Sequence, residues 1–301
     1  MADTSTPRPE ATAFADPKSS PMRYRHRWEM PLVALSILIS LVVLAVGLVS
    51  LIAGLATPDP GAVAETADAA GEDAIDFGSY ALLLLAAPLY IFVMRFYQIA
   101  RDKANAVRVG PEQFPEIWAL YQDVARRLGF EAPPRLYIKN GNGVVNAYAM
   151  SCNTRAKYVV LHAEIALLMD TSPETVEFVL AHELSHHRLR HVSLLRLVVT
   201  FLPRLIPAFG VSQVRAQEYS ADRLAHSVCN HHRETISLLM IGPWINHKVD
   251  HDALNRQTEE ERGEWFIRAA NVMSNHAVGV KRYRALQEID EKGYGAHGDM
   301  F

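Results

Sequence analysis

The apolar positions divide the chain into two unequal parts. From Pro31 to Ala56 run 26 residues without a charge, and a second uncharged block of 18 residues covers Phe77–Met94. A helix needs ~20 apolar residues to cross the hydrocarbon core, so both blocks are long enough to span. Pro88 lies inside the second block, and transmembrane helices absorb such a kink by local rearrangement of hydrogen bonds. The pattern predicts two spans, 31–56 and 77–94, paired as a helical hairpin over residues 31–94. A secretory signal has an apolar core of only ~7–15 residues, so the first block reads as a retained anchor. Residues 1–30 are polar, proline-rich and without periodicity, and predict a flexible arm.

Beyond Gly110 the pattern becomes that of a globular domain, residues 110–301. Apolar residues recur at helical spacing from Pro111 to Leu128 (Phe114, Ile117, Trp118, Tyr121, Val124) and stop before Gly129. Arg135–Lys139 reads as a short strand, Asn140-Gly141-Asn142-Gly143 as a turn, and Val144–Met150 and Lys157–Leu161 as two further strands. The remainder is mostly helical in pattern. The expected fold class is α+β: a two-span hairpin followed by a mostly helical domain with a small mixed sheet.

Composition adjusts this picture in three ways. A chain of 301 residues, 50% hydrophobic and 21% charged, is too apolar to be disordered, and its net charge of −3 argues against nucleic acid as a partner. Two cysteines, Cys152 and Cys229, exclude a disulfide scaffold and suit a reducing compartment. The basic residues Arg23, Arg25 and Arg27 precede the first span and Arg95, Arg101, Lys103 and Arg108 follow the second. The intervening 57–76 loop has no Lys or Arg and six acids. The positive-inside rule therefore predicts both termini and the globular domain on the cytoplasmic side, with the lipid bilayer as a partner.

The chemistry concentrates in Thr171–His191, TSPETVEFVLAHELSHHRLRH. Thr171 and Glu174 fit a capping box, with Pro173 in the first turn. On the helix that follows lies His182-Glu183-Leu184-Ser185-His186, in which two imidazoles at i and i+4 share a face and can bind one zinc ion. Glu183, rotated away from that face, can serve a water on the metal as general base. Chance alone yields this pattern roughly 0.03–0.04 times in such a chain. The bland alternative is a solvated, His-rich helix face, and Ser185, His187, Arg188 and Arg190 resemble one. A catalytic zinc takes three protein ligands, and Glu218 supplies a third downstream, with Asp222 one turn further on the same face. Asp222 suits the orienting of a ligating imidazole, and Arg215 suits the holding of one of these carboxylates.

HExxH followed by Arg215-x-x-Glu218-Tyr219-x-Ala221-Asp222 resembles the membrane zinc endopeptidases of the HtpX type, relatives of the type I CAAX prenyl proteases. The likeness extends over about residues 110–290. It implies a gluzincin core shared with thermolysin, one Zn2+ held by His182, His186 and Glu218, and Glu183 as the catalytic base. Asn146-Ala147-Tyr148-Ala149 matches the strand that implies substrate binding, by pairing with a peptide backbone. His191 matches an extra histidine of the family. Asn275-His276-Ala277 with Arg282 resembles a further motif, with Ala277 in place of a proline, and implies His276 near the cleft as a stabiliser of the oxyanion; Tyr148 and His226 are further candidates for that role. The resemblance also implies a multi-pass protein of a bacterial inner membrane, acting on misfolded or membrane-associated proteins.

One topological consequence follows. The segment 192–211 is apolar enough to tempt a third span, but a single crossing would put Glu218 and the two histidines on opposite sides of the bilayer. The segment is therefore expected to return, to lie at the interface or to pack in the domain, and an amphipathic, membrane-facing lip fits it best. The sequence leaves a second function open, a catalytically silent membrane scaffold stabilised by zinc, and sets no oligomeric state.

Overall fold

The structure is a computed structural model that describes residues 14–56, 77–152, 156–206, 208–229, 232–274 and 278–301. Helix α1 is Glu29–Ala56 and α2 is Phe77–Ala104, and the two pack against each other. α2 runs ten residues beyond the apolar block, because the polar stretch after Met94 keeps good helix formers and docks on the domain. Ile99 and Asp102 are buried there, Asp102 against Lys139 at 2.8 Å. Among the described residues one helix is long and apolar enough to cross a membrane, over Glu29–Val49. Residues 57–76 and the 1–13 part of the arm lie outside the described residues, whereas the arm's remainder is ordered, with a 3₁₀ turn at Pro21–Tyr24.

The domain carries a four-stranded mixed sheet of β1 (Val107–Arg108), β2 (Arg135–Lys139), β3 (Ala147–Ser151) and β4 (Lys157–His162). Its spatial order is β1-β2-β4-β3, with β2 and β4 parallel and the outer pairs antiparallel. β4 lies inside the sheet with both faces covered, so Tyr158-Val159-Val160-Leu161 reads as a continuous apolar run and is wholly buried. β3 is an edge. It begins three residues later than Val144, because Asn140–Gly143 and the residues after it form the turn.

Helix α3 (Pro115–Arg127) starts four residues later than the periodicity implied. Phe114 caps it in a left-handed conformation (φ 62°), which breaks the helical path there. After the short α4 (Ala163–Ala166), α5 (Pro173–Arg188) packs across β3 and against α3. Its Val176, Phe178, Leu180 and Leu184 join Leu136, Val159 and Leu161 in the main core. The capping box expected of Thr171 does not form, and the cap falls one residue later. Ser172 is the N-cap, Pro173 takes the first helical position, and the Ser172 hydroxyl donates to Glu174 instead of receiving a backbone N–H.

Between α5 and α7 (Phe209–His226), the segment that tempted a third span forms the short α6 (Leu194–Val199) and a 3₁₀ turn at Leu202–Leu205. Both pack against α1, and α6 also meets α2. Ser40 of α1 donates to the Val199 carbonyl at 2.8 Å, and buried Arg196 pairs with Glu29 at 2.8 Å. Helices α8 (His232–Ile241), α9 (His251–Glu260), α10 (Trp265–Met273) and α11 (Gly279–Lys292) complete the far side, with α11 packed on α7 and α8.

Candidate metal centre

Two packed helices build the site. On α5 the i, i+4 spacing sets the rings of His182 and His186 one above the other, and α7 crosses them with Glu218 and Asp222, again one turn apart. The Nε2 atoms of His182 and His186 are 3.1 Å apart. The two carboxylate oxygens of Glu218 lie 3.5 Å from Nε2 of His182 and 3.4 Å from Nε2 of His186. Ligand atoms ~2.0–2.1 Å from a tetrahedral ion are about 3.3 Å apart, so these separations are of the size that fits one small cation. The donor set, two imidazoles and one carboxylate, is that of catalytic zinc.

The surroundings orient the ligands. Nδ1 of His182 is 2.8 Å from Oδ1 of Asp222. Arg282 of α11 holds that carboxylate with a two-pronged pair, Nε to Oδ2 at 2.8 Å and Nη2 to Oδ1 at 2.7 Å. Burial alone would raise Asp222, but the charges of Arg282 and His182 outweigh it and hold the carboxyl at about 2. Burial opposes a proton on His182, yet Asp222 and Glu218 beside it overcome burial and raise the imidazole to about 10. His186 is pushed well below its ordinary value by burial, then by the neighbouring histidines, against the pull of Glu218.

The expectation that Arg215 holds one of the carboxylates is not met. Its guanidinium donates to the carbonyls of Val272 and Ser274 and to the Ser212 hydroxyl, pinning the end of α10 to α7. One turn before Glu218 on a helix is not one face nearer to the site. Arg282 takes that position from a segment 60 residues further along, and no spacing within the Glu218 motif points to it.

Glu183 is buried and lines two cavities that both reach His182 and Glu218, one of about 330 Å3 and one of about 640 Å3, the larger also bordered by His186. The smaller is walled by apolar side chains, among them Ile165, Phe178, Ile236 and Met240, whereas Arg95, Arg101, Lys139 and Arg204 stand around the larger. Asn146 and Ala147 border both, so the open edge of β3 runs past the centre. Tyr148 also lines the larger cavity, but it packs on the opposite face of the sheet, and Asp102 takes its hydroxyl. His226 is bonded to Tyr294 at 2.9 Å and Asp290 at 3.0 Å, away from both cavities. His276 lies outside the described residues.

His191, expected as a structural residue at the helix end and not as a ligand, stands beside the site. Its Nδ1 is 2.9 Å from Nδ1 of His186, and its Nε2 is 3.2 Å from Oε1 of Glu29.

A helix bearing His-Glu-x-x-His, crossed by a helix that adds a carboxylate as third ligand at the back of a cleft beside an open strand, defines the class of a metal-dependent hydrolase. Residues 111–214 match the sequence model of peptidase family M48, which supports the M48 metallopeptidase family and with it metal-dependent proteolysis. The match ends short of Glu218, so the third ligand rests on the geometry of α7 against α5. No solved structure matches the chain.

Proposed function

We propose that the protein is a membrane-anchored zinc endopeptidase of the HtpX type, with a gluzincin core, acting on misfolded or membrane-associated proteins at the cytoplasmic face. The observation that carries this reading is the convergence of His182, His186 and Glu218 on one point beside Glu183 in a cleft bordered by an open strand edge. His182, His186 and Glu218 would hold the ion. When bound, it supplies Lewis-acid chemistry, polarising a scissile carbonyl and lowering the pKa of water.

The chain's own residues do the rest. Glu183, buried and adjacent to the ligands, takes the proton of the attacking water and returns it to the departing amine nitrogen. Asp222, held by Arg282, keeps His182 in the tautomer that turns Nε2 to the ion. The edge of β3 orients the peptide: the His162 N–H donates to the Asn146 carbonyl at 3.0 Å, so even-numbered residues of β3 face β4. Ala147 and Ala149 therefore turn their backbone groups towards the open edge, where an extended substrate can add as a strand. Backbone pairing of this kind favours protein substrates with loose side-chain preference.

The test is casein cleavage by the purified full chain in mild detergent, beside a Glu183→Gln variant. The variant should keep its fold and bound metal and lose at least 100-fold in rate, as removal of a general base costs roughly 10²–10⁴-fold. Chelation should abolish wild-type cleavage. Cleavage that survives the chelator, or a Glu183→Gln enzyme as active as wild type, would exclude this mechanism; a folded, zinc-loaded wild-type chain that cleaves nothing would leave the silent scaffold as the better reading.

A further inference from the structure

Glu29 is the first residue of α1, at the point where the basic, polar arm meets the apolar run, and it is fully buried. Four groups surround its carboxylate. Arg196 Nη1 lies at 2.8 Å and Arg25 Nε at 3.4 Å; the Ser220 hydroxyl donates to it; and His191 Nε2 lies at 3.2 Å. One cation neutralises one carboxylate, and Arg196 and Arg25 already supply two. The further contact, to an imidazole that itself touches His186, is not needed for charge balance.

The end of α5 puts His191 there. Arg190 takes a left-handed conformation (φ 62°), the His191 N–H donates to the His186 carbonyl at 2.8 Å, and the Arg190 N–H donates to the His187 carbonyl at 3.1 Å. This is a Schellman motif, in which the second residue past the cap folds back over the third-last residue of the helix. The five-residue spacing of His186 and His191 is the spacing of that motif.

One arrangement of protons then serves every contact. A ligating His186 offers the lone pair of Nε2 to the ion, so its proton sits on Nδ1 and is donated to Nδ1 of His191. His191 must accept there, so its own proton sits on Nε2, the nitrogen 3.2 Å from Oε1 of Glu29. His182 obtains its carboxylate directly, from Asp222 of α7. His186 meets a carboxylate through one intervening ring, and that carboxylate comes from the other end of the chain.

We propose that Glu29, acting through His191, is the positioning carboxylate for His186, so that the foot of the apolar N-terminal helix completes the metal site. This rests on the reading of His182, His186 and Glu218 as metal ligands. The anchor helix is then part of the metal centre's outer support as well as a tether. Removing such outer partners typically costs roughly 10–100-fold in metal affinity.

The test uses full-length protein in mild detergent, with folding checked by circular dichroism. The zinc dissociation constant is measured by competition with a chromophoric chelator, and the cobalt-substituted protein is compared by visible absorption. Glu29→Gln, which keeps shape but not charge, and His191→Phe, which keeps volume but no ring nitrogen, should each raise the dissociation constant by roughly 10–100-fold and alter the cobalt spectrum. His191→Gln, able to accept from His186 and donate to Glu29, should recover most of the loss. If Glu29→Gln does not fold, Glu29→Asp replaces it under the same criterion, since it keeps a charge for Arg196 while drawing the carboxylate back from His191. Folded variants at position 29 with wild-type affinity and spectrum overturn the proposal, even if His191→Phe weakens binding. A wild-type chain that binds no zinc overturns the metallopeptidase reading itself, a distinct result.

Discussion

Arg282 and Arg215 are both arginines close to the carboxylates of α7, and only one of them serves the candidate centre. Arg282 neutralises Asp222 in a buried pair, while Arg215 satisfies main-chain carbonyls at the end of α10. Arg282→Met should strand a buried carboxylate and cost roughly 3–5 kcal/mol, the usual penalty for removing one partner of a buried ion pair. Thermal unfolding of the metal-free protein checks this, and an unchanged Tm would show that the pair carries no weight. A second residue-scale expectation concerns His26, which burial, then the positive charges of His297, Arg223 and Arg27, depress to about 3. The unfolded chain takes up this proton near pH 6.5 and the folded chain does not. The stability is therefore whole above pH ~6.5 and is lost as pH falls towards 3, by ~2 kcal/mol at pH 5 from this residue alone. A His26→Gln variant should show a smaller drop in Tm between pH 7 and pH 5 than wild type; an equal drop would assign the acid sensitivity elsewhere.

At the scale of elements, α5 and β3 show what was legible in sequence and what was not. The i, i+4 spacing of His182 and His186 fixes their common face before any packing, because the helix is a local structure. The exit of α5 was not legible, because its left-handed residue is Arg190, whereas a glycine would have announced the cap. The likeness implied that β3 pairs with substrate, and its edge position needed the sheet order, since strand neighbours are set by non-local pairing. The parity of its ladder yields a test. Ala149→Pro removes a backbone N–H that faces the open edge and no bond to β4, and proline is tolerated on edge strands. Casein cleavage should fall about tenfold, mainly through a higher KM, with zinc affinity unchanged. A loss of zinc binding, or undiminished cleavage, would exclude this edge as the site of substrate pairing.

For the whole molecule, the question is how the apolar N-terminal part and the domain are joined. Along α1, Leu38, Leu41, Val42, Val46, Val49 and Ile52 are each more than half exposed, a stripe that no other described element covers. Membrane insertion accounts for such a surface. The expressed protein should then stay in the membrane pellet through alkaline carbonate extraction and be released by detergent; release by carbonate alone would remove the anchor from the proposal. Leu195 and Leu205 of the segment between α5 and α7 are also exposed, at 74% and 66%, beside α1, in keeping with a lip that faces the bilayer. The hairpin with a second span, the multi-pass inner-membrane location and the cytoplasmic orientation belong to the same proposal, carried by the apolar block 77–94 and by the basic flanks around the acidic loop.

The sequence by itself determined the properties that depend on neighbours along the chain. These are the apolar run of α1, the common face of His182 and His186, that of Glu218 and Asp222, and the mostly helical α+β class. Helical periodicity and apolar length are local, so they are written in consecutive residues. Tertiary structure alone decided which carboxylate meets which ring. Asp222 reaches His182 because α7 crosses α5, Arg282 reaches Asp222 from α11, and Glu29 reaches His191 from the foot of α1. Those contacts join residues 40 to 162 positions apart, and what selects them is the need of each buried charge for a partner, a condition that exists only once the chain has closed around it.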